Sequence, residues 1–277
     1  SFPTINGKNV LTWSLGKKMN KSTPTGANWQ DIYVVGQWTG GSTFDNVPGI
    51  FGGTTSSNSD NGVVGGNNSG TGLWFSNWTD NFYLNGSSNN GSNVVGTMSS
   101  PFLISFSKNS AVSITGYQIG ADRTNGGREW KGHFGEVIAF GTKLPDSARQ
   151  KVESYLAHKW GLTSNLPTNH PYRDTEALSW NTTLQSDKSL QASATHLGNG
   201  KEGFYGATIS DLSAGETYYY RLRSKGKLNP KSVSSSNLKL WLDASELTAT
   251  GQNWDDKSGN GNHGVTGGSP SVVTNAQ

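Results

Sequence analysis

An all-β sandwich carrying a single helix is the fold that the sequence predicts, and three observations predict it. Thirty-seven glycines in 277 residues, with abundant Asn, Ser and Thr and only 15% charged residues, describe a chain of short strands and many turns. Ten Trp and nine Tyr oppose disorder, because such side chains bury large areas and give polar loops a core to pack upon. Alternating apolar segments recur along the chain, and one segment alone has clear helical periodicity.

Taken in order, the first strong strand is NWQDIYVVGQW, 28–38, where Ile32, Val34 and Gly36 alternate with Tyr33, Val35 and Gln37. Both faces read as buried, which places it in the middle of a sandwich. From Gly40 to Gly72 short apolar islands at Gly49-Ile50-Phe51 and Val63-Val64 predict brief strands between long surface loops. Leu73–Ser76 and Phe82–Leu84 read as strands flanking Asn77-Trp78-Thr79-Asp80. Segments 101–107 and 111–120, separated by Lys108-Asn109-Ser110, predict an antiparallel hairpin. In 132–141, Phe134, Glu136, Ile138 and Phe140 alternate with Gly135, Val137 and Ala139, as in the last strand of a sheet.

The helix is expected over 144–160. Pro145 starts it, Asp146 suits the positive end of its dipole, and Gly161 ends it. Ala148, Val152, Tyr155, Leu156 and Trp160 form one stripe, with Arg149, Lys151, Glu153 and Lys159 elsewhere, so one face docks on the sandwich. At the far end LKLWLDAS, 238–245, has a strand's alternation: Leu238, Leu240 and Leu242 against Lys239, Trp241 and Asp243. WDDKSGNGNHG, 254–264, then supplies glycines and Asn-Gly for tight turns. These last forty residues read as the opening of a domain that has no chain left to finish it.

LKLWLDAS followed by WDDKSGNGNHG resembles the start of a bacterial laminin-G-like, concanavalin A-like jelly-roll domain. GEVIAF (135–140) followed by QKVESYLAHKWGL (150–162) resembles the strand and helix on which that family's domains end; Pro145 stands where the family has a Ser or Thr cap. SFPTINGKNVLTW, 1–13, looks like the segment that such a domain places directly after its opening, so Gln277 reads on into Ser1. The resemblance implies that residues 1–163 are a laminin-G-like jelly roll lacking its first strand, and that 237–277 supply that strand and loop. Completion is expected in trans, by the next subunit or repeat, or in cis. ATISDLSAGETYYYRLRS, 207–224, resembles the corner of a fibronectin type III sandwich, with Leu212 and Gly215 before the corner, Tyr218 as its tyrosine, and Tyr220 and Leu222 inward. Residues 164–236 are therefore expected to form a linker and a shortened fibronectin-like module. With Ser1 falling inside a domain and no signal peptide visible, a mature product or excised fragment is expected.

The net charge of +3 comes from scattered Lys and Arg, so no patch recommends nucleic acid or an anionic membrane as a partner. No stretch is apolar enough to span a bilayer, so no membrane insertion is expected. The absence of Cys removes disulfides and thiolate chemistry. Low charge with Asn, Gly, Ser and Thr enrichment favours an extracellular or cell-surface location.

A jelly roll could be a glycoside hydrolase, but that chemistry needs paired carboxylates. The E-x-D-x-x-E spacing is absent, Glu136 stands alone in its strand, and no G-x-S-x-G elbow is present. No enzymatic activity is expected. Asp255, Asp256 and Asn260 offer oxygen donors of the kind Ca²⁺ takes, against a turn in which Asp and Asn bond their own backbone. Trp38 and Trp78, with Asn77 and Asp80, are candidate stacking and hydrogen-bonding groups for a glycan, against burial in the core. The residues expected to complete the domain are Leu238, Leu240, Trp241, Leu242 and Trp254. The function these readings favour is an extracellular structural or adhesive protein that self-associates head to tail through strand complementation. The alternative is a monomeric carbohydrate-binding module of a surface adhesin.

Overall fold

A computed structural model describes residues 3–14, 16–22, 28–54, 63–76, 79–113, 116–122, 126–177, 194–196, 205–207, 228–248 and 253–267. Four short strands open the chain: β1 (Thr4–Ile5), β2 (Lys8–Asn9), β3 (Leu11–Trp13) and β4 (Lys18–Lys21). Then come β5 (Asn28–Trp38), β6 (Gly49–Gly53), β7 (Val63–Gly66), β8 (Leu73–Ser76), β9 (Asn81–Leu84) and β10 (Ser87–Ser88). After the one-turn helix α1 (Val95–Met98) follow β11 (Phe102–Ser113), β12 (Tyr117–Ile119), β13 (Gly132–Phe140) and the long helix α2 (Asp146–Trp160). The rest are β14 (Ala194–His196), β15 (Tyr205–Ala207), α3 (Pro230–Ser234), β16 (Leu238–Asp243) and β17 (Val265–Gly267).

Two antiparallel sheets organise most of these strands, with β1–β2 and β14–β15 as separate pairs. One runs β10-β9-β11-β5-β13-β16, with β3 also on β13; the other runs β17-β4-β12-β6-β7-β8. Strand β5 is buried on both faces, as its sequence predicts, because the larger sheet is covered twice. Ile32, Val34 and Trp38 face the inter-sheet core with Trp29, Phe51, Phe106 and Trp130. Tyr33 and Val35 face a second apolar layer with Val152, Leu156 and Trp160 of α2. Pro145 precedes α2 in extended conformation and Gly161 closes it at φ +67°, the left-handed geometry that glycine adopts without strain.

Several sequence expectations change on physical grounds. The hairpin expected at Lys108-Asn109-Ser110 is absent: β11 runs straight through it, with a bulge against β5 between Ser107 and Val112. Asn109, the expected turn former, donates its N–H to Asp80 (2.7 Å) and accepts from Lys143 through its side-chain oxygen (2.8 Å). Strand β12 then belongs to the opposite sheet. Leu73–Ser76 and Phe82–Leu84 are strands as expected but likewise fall in different sheets.

Alternation in β13 is broken by a bulge between Phe134 and Glu136. Phe134, Val137 and Ala139 consequently share the inter-sheet core, while Ile138 and Phe140 face the helix. Gly135 sits at the bulge because a Cβ there would come within 2.7 Å of the Trp160 ring. A second irregularity, opposite Ala139 and Phe140, shifts β16. Leu240 and Leu242 enter the inter-sheet core, but Leu238 turns to the helix layer with Trp241.

The helix layer extends past residue 163. Leu162, Leu166 and Ala177 on one side of residues 178–227, and Leu228 on the other, all join the apolar cluster under α2. The fibronectin-like corner, with Leu212, Gly215, Tyr218, Tyr220 and Leu222, lies outside the described residues; only the β14–β15 pair is described nearby. No helix among the described residues is long and apolar enough to cross a membrane.

Candidate functional site

Both ends of the chain meet on one strand. The edge of β13 opposite β5 carries β3 along Gly132–Phe134 and β16 along Glu136–Phe140. In the second sheet β17 pairs with β4. Around this seam Trp13 and Trp254 lie 5.9 Å apart, Asn9 donates to the Leu247 carbonyl (2.9 Å), and Tyr117 donates to the Asn262 carbonyl (2.6 Å). In this structure the edge of β13 from Glu136 to Phe140 is paired by the chain's own Leu238–Asp243.

The buried carboxylate of Glu136 is the hub of the seam. A lone ion buried in an apolar layer is costly unless its oxygens are hydrogen-bonded, and here four donors converge. Oε1 accepts from the Tyr155 hydroxyl (2.8 Å) and the Trp241 indole (2.7 Å); Oε2 accepts from Lys159 Nζ (2.8 Å) and the Trp160 indole (2.7 Å). Burial, reinforced by the Asp243 charge, pushes the Glu136 carboxyl above the usual range, with Lys159 pulling it back. The same burial and the facing carboxylate push the Tyr155 hydroxyl far up, so it remains a donor.

Lys159 also reaches Asp243 Oδ2 (2.6 Å), which Lys257 approaches from the other side (3.2 Å). Asp243 Oδ1 accepts from the backbone N–H and hydroxyl of Ser245 (3.1 and 2.6 Å). Burial would raise the Asp243 carboxyl, but the Lys159 charge and these hydrogen bonds hold it below the usual range. These groups come from β13, α2 and the tail, so helix, strand and tail are tied through one point.

A second polar cluster lies under the same helix. Glu153 accepts from Arg149 (2.6 Å) and Ser105 (3.1 Å), with the His170 ring at 3.2 Å. Arg149 and Glu153, read from the sequence as lying off the docking stripe of α2, therefore face the sheet. Asp31 of β5 accepts from Leu144 N–H (3.0 Å) and Tyr33 (3.1 Å) through Oδ2, while Oδ1 has no partner among the described residues. Burial pushes its carboxyl up to about 7.

The completion residues expected from sequence are brought together: Leu240, Leu242 and Trp254 in the inter-sheet core, Leu238 and Trp241 in the helix layer. The Trp254–Gly264 loop folds over the outer edge of β16. Asp256 Oδ1 takes the N–H groups of Trp241 (2.9 Å) and Ser258 (2.9 Å), and Oδ2 takes the Ser258 hydroxyl (2.7 Å) and Asn262 N–H (2.9 Å). Asn260 and Asn262 donate to the Leu238 and Lys239 carbonyls (2.8 and 2.9 Å). The candidate calcium ligands Asp256 and Asn260 thus spend these groups on an edge that would otherwise stand unpaired. Asp255 points outward, at 81% side-chain exposure, beside His263.

The glycan candidates are not gathered into one place. Trp38 is 1% exposed, stacked edge-on with Phe44 and Trp130, and donates to the Gly41 carbonyl (2.9 Å). It borders an open depression of about 470 Å³ shared with Thr39, Ser42, Val95 and Ser99. Asp80 lies at the other end of the sheet, bonded to β11, where the Asn109 N–H holds its carboxyl below the usual range. Register puts Trp38 seven residues from Asp31 along β5, about 23 Å at 3.3 Å per residue. Asn77 and Trp78 lie outside the described residues.

Sequence reading missed Glu136, Tyr155, Lys159 and Asp243 as a unit. The available signal was a lone carboxylate in an otherwise apolar strand, which demands buried donors from somewhere. Comparison with known proteins finds no match, whether among family models, curated proteins or solved structures.

Proposed function

We propose that the chain is a non-enzymatic structural or adhesive protein of the cell exterior, built on a laminin-G-like jelly roll that strand complementation completes. One observation carries this reading: Leu238–Asp243 seals the edge of β13 and delivers Leu240 and Leu242 to one core and Trp241 to the other. A tail that contributes to both layers is a plug rather than an appendage. Residues 178–227 connect it in sequence to Ala177. Filled by its own tail, the unit is a closed monomer; filled by another copy's tail, the same contacts join copies head to tail. The glycan-binding alternative lacks an exposed aromatic face at Trp38.

The test is a chain ending at residue 237 mixed with a peptide covering 238–267. Stoichiometric binding with recovery of the native near-ultraviolet circular dichroism supports complementation. A truncated chain that folds fully and ignores the peptide contradicts it. Refolding the full chain at increasing concentration separates the two closures: concentration-dependent oligomers support linking of copies, and a monomer throughout leaves the self-completed unit.

A further inference from the structure

We propose that Lys159 and Asp243 become joined by an amide bond that the protein forms by itself, with Glu136 carrying the protons. The bond forms whichever copy supplies the tail. An amine and a carboxyl on separate elements, α2 and β16, are held 2.6 Å apart, and a second carboxyl lies 2.8 Å from the same amine. Side-chain exposure is 18% for Lys159, 1% for Asp243 and 0% for Glu136, beneath the rings of Trp160, Trp241 and Tyr155. Bulk water, which would oppose condensation, is largely excluded. Fixed neighbours in such an arrangement react as if at effective concentrations on the order of 10⁵ M or more.

The surrounding groups suit each step. Glu136 takes one proton from the Lys159 ammonium, and the neutral amine attacks Asp243 Cγ. Charge develops on Oδ1, where the Ser245 N–H and hydroxyl already point (3.1 and 2.6 Å), the arrangement of an oxyanion site. Oδ2 faces Lys159 and Lys257. Glu136 passes its proton to Oδ2, then relays a second from the new C–N nitrogen, and Oδ2 leaves as water. An ammonium and a carboxylate become an amide and one water, Glu136 ends as it began, and no further reactant is consumed. Its raised carboxyl affinity for protons, from burial and the Asp243 charge, suits a carrier that must hold a proton between steps.

Lys257 is the competing amine. It is more exposed, at 29%, and its shortest bond is to Glu246 (2.6 Å), so it serves as a fixed charge beside Oδ2. Condensation also removes a buried ion pair, whose desolvation is a standing cost. With the chain's own tail the product is a covalent ring running from Lys159 to Asp243; with another copy's tail it is a covalent link between copies, and in both the tail strand is permanently fixed.

The test is intact-mass measurement of the folded full-length chain, followed by peptide mapping after denaturation. The expected result is a mass short by one water, with the peptide containing Lys159 attached to the peptide containing Asp243. Glu136→Gln keeps the side chain's size but cannot relay protons, so it should return the full mass; Lys159→Arg should do the same. Asp243→Asn should still close, losing ammonia instead. Should Glu136→Gln fail to fold, the wild-type peptide map decides alone. Natively folded wild-type protein that keeps its full mass after prolonged incubation from mildly acidic to mildly alkaline pH overturns the proposal, as does water loss mapped to another pair.

Discussion

The Trp241 indole nitrogen lies 2.7 Å from Glu136 Oε1, so a residue of β16 satisfies a carboxylate buried in the neighbouring strand β13. Removing the tail would leave that carboxylate one donor short and strip β13 of half an edge. The tail is therefore bound by polarity as well as by apolar area.

Trp241→Phe isolates the polar part. The ring stays in the helix layer but Glu136 loses a donor, and an under-satisfied buried charged group costs about 1–3 kcal/mol. Urea unfolding should show a loss of that size with an unchanged m-value. A loss below about 0.5 kcal/mol would mean that Tyr155, Lys159 and Trp160 suffice without the tail.

Trp160→Ala tests the docking of α2. The ring is fully buried and donates to Glu136, so truncation should cost about 3–5 kcal/mol. Under about 1 kcal/mol would show a ring that contributes little packing.

Asp31 gives a pH signature. Its carboxyl is raised from 3.8 to about 7 by burial, so between those values the native state binds more protons than the unfolded chain. Stability from this group is fully present below the unfolded value and is lost as pH rises to about 7, at about 1.4 kcal/mol per pH unit. Asp31→Asn should remove that slope. The variant should gain on wild type as pH climbs from about 4 to about 7, measured as the difference in urea midpoints; a difference constant with pH contradicts the assignment.

Asp256→Ala removes the acceptor of four hydrogen bonds at the rim of β16. Leaving the buried N–H groups of Trp241 and Asn262 unpaired should cost about 1–3 kcal/mol each. Thermal unfolding with excess Ca²⁺ or with chelator should give the same midpoint for the wild type. A calcium-dependent rise would instead make Asp255, Asp256 and Asn260 ligands.

Much of the sandwich was legible because its residues report their own surroundings. Ile32 to Val35 are apolar on both faces, and the strand is buried on both. Pro145 and Gly161 bound the helix because φ at each end is a local property. The bulges at Gly135 and Lys239 were not legible, since each answers to a partner strand and, for Gly135, to the Trp160 ring. Nor could Arg149, Glu153 and Lys159 be seen as inward-facing. Charge predicts solvent only until buried carboxylates from other elements offer a partner. The alternation of β16 was readable at Leu240, Trp241 and Leu242 but not at Leu238, whereas the glycan set joined Trp38 and Asp80, which register places at opposite ends of one sheet.

Native-state hydrogen exchange at the amides of Leu240 and Leu242 tests the central claim, that the tail is a structural strand of the sandwich, most directly. The account predicts protection equal to that of Val34 and Val35 in β5, with exchange only through global unfolding and the same dependence on denaturant. Exchange at Leu240 and Leu242 near the rate of an unfolded chain, while β5 stays protected, would contradict it.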